Sequence, residues 1–311
     1  MIADWLYEVQ LCSSYYVGSD SYREGQAAVK KTIVLTTLAM IAFAGNSLLC
    51  RMALKDSGID AATFTTVRLV AGALTLWLVV LFHRQATHGK GNWLSALALF
   101  IYASGFSFAY VKLPAATGAL LLFGAVQATM IGFGMWSGER LRGWQWLGLI
   151  VALAGVVGLM VPGLAAPPLL NAMLMLAAGI AWGIYSLRGK GAGDPTRVTA
   201  GNFLRAVPMA IAMSVFIRHN MSVATTGVVY AIASGAITSG LGYAIWYAAL
   251  PALKAMHAAT VQLSVPVIAA LGGILFLHEP PTWRLLLASI AILGGIALVI
   301  VDKRVVTTAV E

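Results

Sequence analysis

Aromatic, amide and hydroxyl side chains are the residues of this sequence best placed to do chemistry. Tyr102, Phe106 and Tyr110 recur every four residues, which on a helix puts three rings on one face. Ser239, Tyr243, Trp246 and Tyr247 keep a similar register, and Trp182, Tyr185 and Ser186 form a third group. Phe123 and Gln127 sit together, Asn46 lies alone in an apolar run, and His257, Thr260 and Ser264 mark a further stripe. Such groups recognise rather than break bonds. Hydrogen bonds, stacking and cation–π contact suit a zwitterion with a sizeable apolar side chain. Taken singly, each ring also fits core packing or an interfacial belt, and Trp93, Trp144, Trp146 and Trp283 read as belt residues. His257 fits a solvated interfacial histidine as well as a gate that titrates near neutral pH.

Catalytic groups are missing where they would matter. Of 11 acidic residues, none falls in the middle of an apolar stretch. That leaves no embedded carboxylate to hold an organic cation and exchange it for protons, so passage down a gradient is the expected mechanism. There is no HExxH, no paired intramembrane aspartate and no Asp-rich cluster for magnesium and a diphosphate. The glycine-rich RGKGAGD at 188–194 lacks the spacing that cradles phosphates. Cys12 and Cys50 form neither a disulfide framework nor a metal cluster. No cofactor or metal is expected. The alternative from another class is a membrane enzyme, which would show turnover and sensitivity to a catalytic mutation.

Two arginines stand inside apolar stretches. Arg68 and Arg205 each lie about seven residues, or ~10 Å, into a span, where the head can snorkel or turn inward. Each is expected to hold a gate or draw a substrate carboxylate, with anchoring by backbone carbonyls the equal alternative.

The elements that position these residues follow from composition. The 311 residues are 60% hydrophobic and 10% charged, against about 25% charged for soluble domains, so a soluble enzyme and a disordered chain are both excluded. The 20 basic residues are scattered in ones and twos, without the patch a nucleic acid needs, despite a net charge of +9. Apolar stretches near the roughly 20 residues of a membrane helix cover 32–54, 61–82, 93–112, 114–137, 144–161, 169–187, 198–217, 224–249, 255–277 and 282–301. Barrel strands would alternate and be half as long. Alternate loops divide the basic residues thirteen to five, which puts both termini in the cytoplasm and makes the span number even. Residues 1–29 lack a signal-peptide pattern and read as a flexible cytoplasmic extension, with 305–311 a cytoplasmic tail.

The chain also repeats itself. Residues 132–160 resemble 272–300, matching Glu139 to Glu279; 42–48 (AFAGNSL) resemble 181–187 (AWGIYSL), and Arg68 pairs with Arg205. The halves are 30–168 and 169–304. Five spans per half is an odd number, so the copies insert in opposite orientation, the plan of many secondary transporters. Gly148, Gly155 and Gly158 in the fifth span, with Gly294 and Gly295 in the tenth, are expected to let helices approach closely, as scaffold or as a dimer face.

Several of these landmarks carry a family resemblance. Pro266 within a span, Glu279 at its end and Gly294-Gly295 in the closing helix, with Glu139 and its glycines in the first half and AWG at 181–183, resemble the EamA family of the drug/metabolite transporter superfamily. The resemblance covers 32–301 and implies an all-α polytopic membrane protein of ten transmembrane helices, in two inverted five-helix repeats around a central cavity, carrying small metabolites. Within the family the chain looks most like the YddG-type amino-acid exporters of bacterial inner membranes. It departs from the pattern at Val126, which stands where the second half has Pro266 and removes the kink from the fourth helix. The expectation is therefore an exporter, not an enzyme, working by alternating access on amino acids, aromatic ones included. A drug, sugar or nucleotide conjugate is the alternative cargo. Its partners would be substrate and membrane lipid, not nucleic acid, and its unit a monomer. Asn46, Tyr102, Phe106, Tyr110, Phe123, Gln127, Trp182, Tyr185, Tyr243, Trp246, Tyr247 and His257 are expected to line the cavity, with Arg68, Arg205 and Pro266 gating or anchoring.

Overall fold

A computed structural model describes residues 19–82, 89–138, 140–141, 143–161, 166–189, 193–217, 222–253, 258 and 261–302. Every regular element among the described residues is helical. In chain order these are α1 (Ser19–Asp56), α2 (Ala61–Phe82), α3 (Trp93–Tyr110), α4 (Ala115–Trp136), α5 (Gly143–Met160), α6 (Leu169–Gly189) and α7 (Pro195–Phe216). There follow α8 (Thr225–Ala252), α9 (Ser264–Leu277) and α10 (Trp283–Asp302). All but α9 are long and apolar enough to cross a membrane. Phe82, Trp136 and Phe216 stand more than four-fifths exposed on the outer surface, which suits a lipid-facing wall.

The helix ends obey local chemistry. Asn92 caps α3, its side chain accepting the Ser95 N–H at 2.8 Å, and Asp194 caps α7 by accepting from Arg197 at 2.9 Å. Pro195 then occupies the first helical position, where a missing N–H costs nothing. The start of α1 differs from the sequence expectation. The helix runs back to Ser19, because Glu24, Gln26, Ala27 and Ala28 are helix-favouring residues that prolong it beyond the apolar stretch. Residues 1–18 and 303–311, and with them most of the expected tails, lie outside the described residues.

Packing repeats as the sequence does. Contacts of α1 with α8 and α9 are matched by contacts of α6 with α3 and α4, and α2 against α8 is matched by α7 against α3. The self-matched pairs α2–α7 and α5–α10 join the halves directly. Exchanging the two halves therefore leaves this pattern of contacts unchanged. At the α5–α10 crossing a Cβ on Gly148 would meet the Gly295 carbonyl, and Gly155 abuts Ala291 and Ile292. Gly158 and Gly294 face open space instead, so the close approach expected of all five glycines is made by three.

Within α8 the regular turn gives way to a π-helix over Ser234–Leu241. Gly235 there lies against the backbone carbonyl of Arg68, too close for any side chain. The wider turn re-aims the hydroxyls of Ser234, Thr238 and Ser239, a common use of π segments at functional sites.

Candidate functional site

A cavity of about 500 Å³ lies among α1, α3, α4, α6, α7 and α8 and extends to the α6–α7 junction at Gly189 and Gly193. Ten of the twelve residues expected to line it do so: Asn46, Tyr102, Phe106, Phe123, Gln127, Trp182, Tyr185, Tyr243, Trp246 and Tyr247. His257 lies outside the described residues. Tyr110 is not among the lining residues. It is fully buried, donates its hydroxyl to the Ala115 carbonyl at 3.2 Å across the α3–α4 turn, and lays its ring on Gly118.

Rings form a continuous wall. Trp182 stands 4.6 Å from Tyr102, 5.2 Å from Tyr243 and 5.5 Å from Tyr185, centroid to centroid. Phe43 completes the wall at 5.7 Å from Tyr243. It is absent from the sequence expectation, yet the repeat pairs it with Trp182, and that was the signal available to find it. Thr199 and Asn202 also line the cavity and were missed. They lie within one turn of each other on α7, and Asn202 Nδ2 donates to Tyr185 at 3.4 Å.

A polar network closes the deep end. Asn46 Oδ1 accepts from Ser234 at 2.7 Å and from Thr238 at 3.4 Å, while its Nδ2 donates to the Tyr102 hydroxyl at 3.3 Å. Arg68 sits behind this wall, 2% exposed. Its Nη2 donates to the Tyr102 oxygen at 3.1 Å and its Nε to Ser239 at 3.4 Å. The guanidinium lies 4.9 Å from the Phe106 ring centroid and 5.4 Å from that of Tyr102. Its Nη1 is buried without a partner. Removing a cation from water costs several kcal/mol, and ring faces return about 2 kcal/mol. Donation to two neutral hydroxyls does not close that gap.

Arg205, the repeat counterpart, is placed quite differently. Its Nη1 donates to the carbonyls of Lys90 at 2.6 Å and Gly201 at 2.8 Å, so it anchors the segment before α3 to α7. Pro266 is buried in the first turn of α9, just after a break in the helix at Leu263. Lacking an N–H for the turn before it, Pro266 separates α9 from the helical residues 261–262. Val126 sits in an unbroken α4, so the halves differ here as their sequences do.

The opposite end of the bundle is latched. Glu279 Oε1 pairs with Arg51 Nε at 3.3 Å, and Oε2 accepts the Ala115 N–H at the start of α4 at 2.8 Å. Arg51 Nη1 donates to the carbonyls of Tyr110 and Val111, both at 3.0 Å. One carboxylate thus joins α1, the α3–α4 turn and the α9–α10 connection. His278, in a left-handed conformation at φ 51°, turns the chain so that Glu279 folds back over Gly273.

The sequence profile of the EamA-like transporter family matches residues 30–161 and again 169–301. The chain belongs to this family. An EamA-like transporter built of two copies of one unit accounts for the exchangeable contacts described above. The chain is 54% identical over 277 residues to an uncharacterized protein of Pseudomonas aeruginosa, covering 88% of this chain and 96% of that one. An uncharacterized transporter of Archaeoglobus fulgidus is 25% identical, covering 86% and 96%, and the uncharacterized transporter YoaV of Bacillus subtilis 24%, covering 76% and 86%. A solved crystal structure shares the fold at a TM-score of 0.62 and 18% identity, covering 88% of this chain and 98% of its own. This EamA-like transporter is thus a multi-pass membrane protein that moves a small solute.

Proposed function

We propose that this transporter exports amino acids with sizeable apolar side chains, aromatic ones included, across a bacterial inner membrane. The observation that carries the reading is the cavity itself: an aromatic wall around Trp182, a polar deep end, and no acidic or basic side chain among its described lining residues. A volume near 500 Å³ suits a single amino acid and a few waters. Ring faces and the amide oxygen of Gln127 receive the ammonium, while the apolar side chain stacks on Trp182 and Tyr243. The absence of a titratable acid among those residues favours facilitative passage over proton exchange.

Ten helices, in two oppositely inserted halves, with both termini cytoplasmic, fit the thirteen-to-five division of basic residues. The cavity then opens to the cytoplasm and the Arg51–Glu279 latch closes the outer end. Alternating access consists of breaking that latch while the α6–α7 end closes. Counterflow uptake into liposomes, with an amino-acid panel and no ion gradient, tests this. Uptake of phenylalanine, tryptophan and leucine is expected. Uptake that begins only on adding a proton gradient would overturn the facilitative mechanism, and silence to every amino acid under both conditions would overturn the substrate class.

A further inference from the structure

We propose that Arg68, acting with the hydroxyls of Tyr102 and Ser239, is the carboxylate-recognition element of the cavity, so that the transporter selects solutes by their anionic head before their side chain. The inference deepens the amino-acid reading and rests on it for the location of the site.

The direction of each hydrogen bond carries the argument. The Tyr102 oxygen accepts from Arg68 Nη2 and from Asn46 Nδ2, so both bonds bring hydrogen to it. Its own hydrogen is therefore left to donate elsewhere, and Tyr102 lines the cavity. Ser239 likewise accepts from Arg68 Nε, lines the cavity and keeps its hydrogen. The deep end thus presents donors, backed by a buried cation that no acidic side chain among the described residues offsets and whose Nη1 has no partner. Hydrogen bonds in a chain of this kind polarise one another toward an acceptor. An anion completes the network. A cation would meet like charge, and a neutral head would leave the guanidinium unmatched. The carboxylate suits this better than a larger anion: two oxygens can take one hydrogen each from Tyr102 and Ser239, with Arg68 behind both.

Titration calorimetry on the purified full-length protein, with L-phenylalanine, hydrocinnamate and phenethylamine, tests the assignment. The three share a phenyl ring and a two-carbon chain and differ in their heads. Both carboxylates are expected to bind, with phenethylamine about tenfold or more weaker. In Arg68→Gln the two carboxylates are expected to lose about tenfold while phenethylamine changes less than about twofold. Tyr102→Phe keeps the ring, removes the O–H and serves if Arg68→Gln does not fold; about a threefold to tenfold loss for the carboxylates alone is expected. Phenethylamine binding as tightly as phenylalanine, or carboxylate affinities unchanged in both variants, overturns the assignment and leaves the amino-acid reading intact. Hydrocinnamate binding through Arg68 without any binding of phenylalanine does the reverse. Failure of both carboxylates to bind overturns the assignment.

Discussion

Arg68 and Arg205 occupy equivalent places in the two halves, yet one is satisfied and the other is not. Arg205 is half-buried and held by two backbone carbonyls, the partners a buried cation finds most easily. Arg68 is buried behind the cavity wall, leans on two rings and two hydroxyls, and keeps one nitrogen unpaired. A duplicated unit supplied the same residue twice, and packing made an anchor of one copy and left the other as a charge in need of a counterpart. A cation retained at a cost in stability is where function is to be sought.

Breaking the frame around Arg68 gives the largest effect. Gly235→Ala places a methyl against the Arg68 carbonyl and forces α2 from α8; it is expected to cost about 3 kcal/mol and most of the transport. Melting curves in detergent read the first, counterflow the second, and a variant that melts like the parent contradicts the close crossing. Sharper is the contrast in sign. Arg68→Met removes an unmatched buried charge and is expected to leave stability unchanged or raise it by about 1–2 kcal/mol. Arg205→Met leaves the Lys90 carbonyl without its side-chain donor and is expected to lower it by about 1–2 kcal/mol. Shifts of the same sign in both melts would remove the distinction.

Two carboxylates serve as controls away from the arginine pair. Glu279→Gln keeps the bond to Ala115 but loses the charge facing Arg51, an expected cost of about 1–2 kcal/mol for a pair whose side chains are only 12% and 10% exposed. A melt unchanged by salt in the parent and by the substitution argues that the latch contributes nothing. Asp60, the cap of α2, also holds Ser222 N at 3.0 Å. Partial burial opposes its ionised form, but hydrogen bonds from Thr63, Ser222 and Ala62 prevail and hold its carboxyl below the usual value. Its contribution is therefore full above about pH 4, the unfolded value, and is lost as pH falls through the lower folded one. Asp60→Asn is expected to cost about 1 kcal/mol and to remove that acid-side dependence from the melting curve.

Much of this was legible in the sequence because polar residues in a membrane helix need a reason. Asn46, Tyr102, Trp182, Tyr185 and Tyr243 stood out against apolar neighbours, and they converge. Phe43 did not, since one more phenylalanine in an apolar run carries no polar signal; only its pairing with Trp182 in the repeat marks it. Tyr110 shared the register of Tyr102 and Phe106, but the α3–α4 turn lay within reach of its hydroxyl and claimed it. The π-helix in α8 depends on Gly235 crossing α2, and the Arg51–Glu279 latch joins residues 228 positions apart. Neither leaves a local pattern. The two arginines looked alike because periodicity fixes depth and face, whereas partners are fixed by what packs opposite.

Their divergence is tested most directly by counterflow of L-phenylalanine through Arg68→Gln and Arg205→Gln side by side, each rate divided by the amount of folded protein in the liposomes. Arg68→Gln is expected to run about tenfold or more below the parent and Arg205→Gln within about twofold of it. Equal rates in the two variants, or a slower Arg205→Gln, would contradict the assignment of substrate recognition to Arg68.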